Sequence, residues 1–172
     1  MNRACPTGHN QGIYLLLYLF FATVINPLFC ESISSAPFTA QSLISNQTHH
    51  FEFSSKTEKN ISHLFVFLSA RCPCSRSYSQ QIEILAKKLK KKGIETVGIH
   101  SNFEETSQRD QDYFKKLNYS FPILQDQSQT LLNKFGATHT PHAFLIRKNG
   151  DIAYHGAIGS SRKFNPEEIT FI

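Results

Sequence analysis

The chain has no tryptophan, so the bulk of any core must come from its 15 Phe and six Tyr. It contains no internal repeat and no low-complexity tract, and 40% of its 172 residues are hydrophobic, which excludes a disordered chain and leaves one ordinary domain with an N-terminal extra. It has no glycine-rich dinucleotide loop and no Walker motif, so no bound cofactor is implied. Acidic side chains are the scarcer sign, 13 against 18 Lys plus Arg. Five of the positive charges fall at Lys87, Lys88, Lys90, Lys91 and Lys92. No aromatic residue alternates with these lysines as a base-stacking surface would require, which argues against nucleic acid as a partner. Cations at a helix C-terminus complement its dipole, and Gly93 is placed to end that helix.

The longest uncharged apolar run, Ile13 to Phe29, has 17 residues, short of the roughly 20 that span a bilayer. With Arg3 ahead of it and small residues behind (Ser32, Ser34, Ser35, Ala36), it reads as the apolar part of a secretory signal. Residues 1–32 are therefore a signal peptide or an uncleaved anchor, which would be the chain's sole membrane attachment. Residues 33–48, rich in Ser, Thr and Gln, read as a linker or an extended lead-in, and residues 49–172 as the folded domain. Export to a periplasmic or other extracytoplasmic compartment lets thiols persist as disulfides. Removal of the signal beyond Cys30 takes Cys5 and Cys30 away and leaves Cys72 and Cys74 as the pair available for redox chemistry.

Within the domain, His49 to Phe53 is a short candidate strand, and the continuous apolar run His63 to Leu68 has the pattern of a strand buried on both faces. After the cysteines, Tyr78, Ile82, Leu85, Ala86 and Leu89 recur at helical spacing up to Lys92. Ile94 to His100 is the next strand. A second helix starts around Glu104 and Glu105 and carries Tyr113, Phe114 and Leu117. Phe121 to Leu124 is a short extended piece. Asp126 or Ser128 can cap a third helix with Leu131, Leu132 and Phe135, closed by Gly136. The strand His142 to Arg147 then turns at Asn149-Gly150 into a returning strand, Asp151 to Ile158. Alternating strands and helices followed by a hairpin predict an α/β fold with a mixed central sheet covered by helices.

Cys72 lies at the turn where the buried strand meets its helix. Free backbone N–H groups and the helix dipole favour a thiolate there, and Arg71 and Arg76 add positive charge nearby. Pro73 suits the first helical turn, because its missing N–H costs nothing at that position. Cys74 follows within that turn.

The segments FVFLSARCPCS, FGATHTPHAFLI and KNGDIAYHG together resemble the thioredoxin-like superfamily, and more closely its redoxin, AhpC/TSA-type branch, over His49 to Ile158. The resemblance implies a thioredoxin-like fold, Cys72 as the nucleophilic cysteine, and Pro141 as a cis proline facing it, with Thr140 preceding it. The backbone of that turn would offer an edge to an extended substrate chain. Two departures stand out. Ser75 replaces the second cysteine of C-x-x-C, with Cys74 one residue early. Ser69 stands three residues before Cys72, as in the peroxiredoxin pattern, but Phe65 occupies the place of that family's proline, which argues against a peroxiredoxin proper. The resemblance also implies a final helix, of which Asn165 to Ile172 would be a remnant unless that helix is missing.

The expected activity is thiol–disulfide exchange with Cys72 attacking and Cys74 resolving. A thiol donor protein would supply electrons, and the substrate would be a disulfide-containing protein. The alternatives are a thiol peroxidase acting on a peroxide, a copper- or zinc-handling module in which His139 or His142 completes the Cys72/Cys74 pair, and an inactive scaffold for partner binding. Ser75 reads first as a first-turn helix residue that satisfies backbone donors and second as a candidate hydrogen-bond donor to the thiolate, and His139 and His142 are candidates for tuning it or shuttling protons.

Overall fold

A computed structural model describes residues 36–45, 47–53, 60–102 and 108–158. The signal segment, Cys5, Cys30, Glu104, Glu105 and Asn165 to Ile172 lie outside the described residues.

Five strands form the central sheet: β3 (Ile61–Phe67), β4 (Glu95–His100), β5 (Ile123–Gln125), β6 (His142–Arg147) and β7 (Ile152–Gly156), in the order β5-β4-β3-β6-β7. β3 runs parallel to β4, and β4 to β5, while β6 is antiparallel to β3 and to β7. The sheet is thus mixed, as expected from two helical crossovers followed by a hairpin. β3 is central and buried from Leu64 onward, which explains its lack of polar alternation.

Among the described residues the helices are α1 (Pro73–Ser77), α2 (Ser79–Lys90), α3 (Gln108–Leu117) and α4 (Thr130–Phe135). One face of the sheet packs Leu64, Val66 and Leu68 against Ile82, Leu85 and Leu89 of α2 and Phe114 of α3. The other face is aromatic, with Phe65, Phe67 and Phe144 against Leu131 and Phe135 of α4. Phenylalanine thus fills the volume that tryptophan does not supply.

Two sequence expectations are corrected. Residues 38–41, inside the expected linker, form strand β1 (Phe38–Gln41), which pairs antiparallel with β2 (Thr48–Phe51). Phe38 stacks on Phe51 at 4.9 Å and meets Phe65 and Phe135, so one aromatic residue ties this polar segment to the core. The single helix expected after the cysteines is divided at Tyr78, whose φ of −95° and ψ of 1° leave the helical range between α1 and α2.

The third helix is capped as the first of its two candidates implies. The buried Asp126 carboxylate accepts the N–H groups of Leu131 (3.0 Å) and Leu132 (2.9 Å), together with the Ser101 hydroxyl (2.8 Å). Ser128 pairs with Thr130 instead.

Candidate functional site

The site forms at the carboxyl edge of β3. Beyond Phe67 the chain stays bonded to β4 for one more residue, with Leu68 N–H donating to Ile99 C=O at 2.8 Å. Two buried serines then fold the turn. Ser69 Oγ accepts the N–H groups of Arg71 (3.2 Å) and Cys72 (3.1 Å), and Ser69 N–H donates to Ser75 Oγ at 3.0 Å. Residue 69 is thereby fastened to the first turn of α1 from both sides, and Cys72 is placed as the residue that opens that helix. Its backbone is extended (φ −71°, ψ 118°), its C=O accepts Arg76 N–H at 3.0 Å, and Pro73 fills the first helical position.

The Cys72 side chain turns to the loop before β6. The Thr140-Pro141 bond is cis, as the resemblance implies, and the Cys72 thiol donates to the C=O of Thr140 at 3.3 Å. That bond by itself favours the protonated thiol. Burial also pushes the thiol up, but hydrogen bonding from the Thr140 side chain, from the backbone N–H groups of Ser75 and Cys74, and from the Cys74 thiol outweighs it. The Cys72 thiol consequently ionises below its ordinary range. Cys72 is half-buried and Cys74 exposed, and both are free thiols.

The remaining sequence-named residues are placed as follows. Ser75 reaches the thiolate through its backbone N–H, while its hydroxyl accepts the Ser69 N–H, the first of the two roles read from sequence, and not the thiolate-donor role of the side chain. Arg71 and Arg76 were expected to lend charge to Cys72. Arg71 instead pairs with the buried Asp110 at 3.5 Å, Arg76 lies 5.4 Å over the Tyr113 ring, and the lowering at Cys72 comes from hydrogen bonds. Both partners are on α3, and nothing in the sequence marked Asp110 as buried.

His139 and His142 do flank the loop, with rings stacked at 4.1 Å, and His155 of β7 lies 5.8 Å from His142. Among the described residues, no group of three or more His, Cys, Asp or Glu is arranged to hold a metal ion. Beside the loop is a cavity of about 190 Å³ with Phe67, Leu68 and Leu132 on its apolar side and Ser101, Asn102 and His139 among its polar ones. Also among the described residues, no helix is long and apolar enough to cross a membrane.

A mixed sheet flanked by helices, with a cysteine at the strand-to-helix turn facing a cis proline, defines a thioredoxin-like protein. The model of the AhpC/TSA family matches residues 35–155, and the chain belongs to that family. Among solved structures it is similar to an uncharacterized conserved protein from Geobacillus kaustophilus (TM-score 0.68, 21% identity, covering 81% of this chain and 76% of that one). It is also similar to a secreted Mycobacterium tuberculosis disulfide oxidoreductase homologous to E. coli DsbE (TM-score 0.57, 17% identity, 77% and 91%). Peroxidoxin BcpB from Mycobacterium tuberculosis shares the fold as well (TM-score 0.57, 14% identity, 74% and 83%). No curated protein matches the chain.

Proposed function

We propose that the protein is an exported thiol–disulfide oxidoreductase in which Cys72 is the nucleophile and Cys74 the resolving thiol. The observation that carries this reading is the Cys72 thiol itself: half-buried, pushed below its ordinary range by hydrogen bonds at a helix start, and set against the Thr140-Pro141 turn. The Cys72 thiolate attacks one sulfur of a substrate disulfide, and the other sulfur leaves as a thiolate that takes up a proton. The Cys74 thiolate then attacks Cys72, releasing the second substrate thiol and leaving a Cys72–Cys74 disulfide. Two electrons have passed to the substrate, and a thiol-bearing donor protein restores them by the same exchange. The apolar segment within residues 1–32 supports export as a signal or anchor.

A second reading, reduction of a hydroperoxide by the same cysteine, is favoured by membership of the AhpC/TSA family. There the Cys72 thiolate takes the terminal peroxide oxygen with its hydrogen to become a sulfenic acid, the O–O bond breaks, the departing alkoxide or hydroxide takes up a proton from solvent, and the Cys74 thiol condenses with the sulfenic acid to a disulfide with loss of water.

Turnover of a protein disulfide and of a hydroperoxide in wild type, Cys72→Ser and Cys74→Ser separates these readings. Cys72→Ser is expected to abolish turnover with the fold intact. Cys74→Ser is expected to accumulate a mixed disulfide between Cys72 and the protein substrate. Turnover of hydroperoxide alone moves the assignment to the second reading, and full function without either cysteine removes both.

A further inference from the structure

The cis-proline turn is held from behind by a histidine that the exchange chemistry does not itself use. His142, the residue after Pro141, is buried, and its Nδ1 lies 3.3 Å from the backbone N of Thr138. A backbone N–H can only donate, so Nδ1 is the acceptor and the ring is neutral, with its proton on Nε2. The bond closes a short bridge over His139, Thr140 and Pro141, and that bridge carries the Thr140 C=O that receives the Cys72 thiol at 3.3 Å.

Every ring packed around His142 bears on its charge. His139, from the same loop, stacks on it at 4.1 Å, and His155 reaches it from β7 at 5.8 Å. From β3 its ladder partner is the uncharged Phe67, and Phe144 of its own strand lies 4.4 Å away. A proton on Nδ1 would set two donors facing each other and place a cation beside two further imidazoles in an aromatic surrounding.

We propose that neutral His142 is a positioning residue that anchors the 138–141 turn against Cys72, and that protonation of its ring releases the turn. This deepens the redox reading of Cys72 and rests on it. The direction of the ring's own titration agrees, since burial first, then His139 and His155, push it down to about 4. The anchor is therefore engaged at neutral pH and lost in acid.

The test is amide hydrogen exchange followed by NMR on the reduced full chain, comparing wild type, His142→Asn and His142→Phe, with Cys72 reactivity toward an aromatic disulfide measured in parallel. Asn keeps an acceptor near the Nδ1 position without the titration, and Phe keeps the ring without the acceptor. The Thr138 amide is expected to be protected in wild type and in His142→Asn, and to exchange at least about tenfold faster in His142→Phe. Wild-type protection is expected to fall on acidification through about pH 4 while that of His142→Asn persists. Cys72 reactivity at neutral pH is expected to fall about threefold or more in His142→Phe and to stay within about twofold in His142→Asn.

Equal protection of Thr138 in wild type and the Phe variant, or equal loss in both variants, would overturn the proposal. So would wild-type protection that ignores acidification. Should His142→Phe fail to fold, the acid response of wild type against His142→Asn decides the matter. An unreactive Cys72 in the wild type would contradict the redox reading instead, and Thr138 protection would still report on the anchor.

Discussion

Cys72 is buried enough to resist ionisation and bonded enough to ionise early, and the donors responsible are mostly backbone. Substituting Ser75 separates its two functions. Ser75→Ala removes the acceptor of the buried Ser69 N–H and is expected to cost about 1–3 kcal/mol in urea unfolding, while the Cys72 alkylation profile keeps its midpoint because the N–H at 75 survives. Arg71→Met is expected to change the Cys72 alkylation rate by less than about twofold, because its charge is spent on Asp110. A large loss of Cys72 reactivity in Arg71→Met would restore the electrostatic role read from sequence. The positions of Cys72 and Pro73 were legible from the strand-to-helix pattern, and that of Pro141 from the family resemblance. The partners of Arg71 and Arg76 were not, because they come from α3, more than thirty residues along the chain, and no local pattern encodes them.

Among the elements, those with strong apolar periodicity were legible: β3, α2, β4, α4, β6 and the β6–β7 hairpin all fall where the sequence puts them to within a few residues. β1 was missed because its FTAQ sequence is half polar, and the two-stranded hairpin is held by a few side chains, Phe38 and Phe51 on the aromatic layer with Leu43 just beyond β1, rather than by a continuous apolar face. The break at Tyr78 was missed because α1 and α2 share an uninterrupted helical pattern. α4 has only six residues and starts from a residue in the left-handed region, Gln129 (φ 57°), so it depends on the Asp126 carboxylate. Asp126→Ala is expected to lower stability by about 1–3 kcal/mol, read as a lower urea midpoint at unchanged slope. On β4, a methyl group at Gly98 would collide with the Ile123 side chain. Gly98→Ala is accordingly expected to cost about 1–3 kcal/mol, and a neutral effect would mean that the Ile123 side chain can turn aside.

For the molecule as a whole, the sheet separates an aliphatic layer under α2 from an aromatic one under α4, and the site occupies the carboxyl edge where the cysteine turn and the cis-proline turn converge. Acid weakens this arrangement. Burial pushes both His63 and His142 down, so between about pH 6.5 and the folded value of about 4 for His142 the unfolded chain binds more protons than the folded one. Stability is therefore complete above the ordinary histidine value and declines as pH falls through that window. Chemical denaturation is expected to show this decline, shallower in His142→Asn, and a flat profile would contradict the burial of the two rings. The central claim concerns Cys72, and its most direct test is the pH dependence of its alkylation in Cys74→Ser, where no second thiol of the motif competes. The expected midpoint lies below the free-cysteine value of about 8.5, with fast modification at neutral pH. A midpoint at or above that value, with slow modification, would contradict the assignment of Cys72 as a nucleophile.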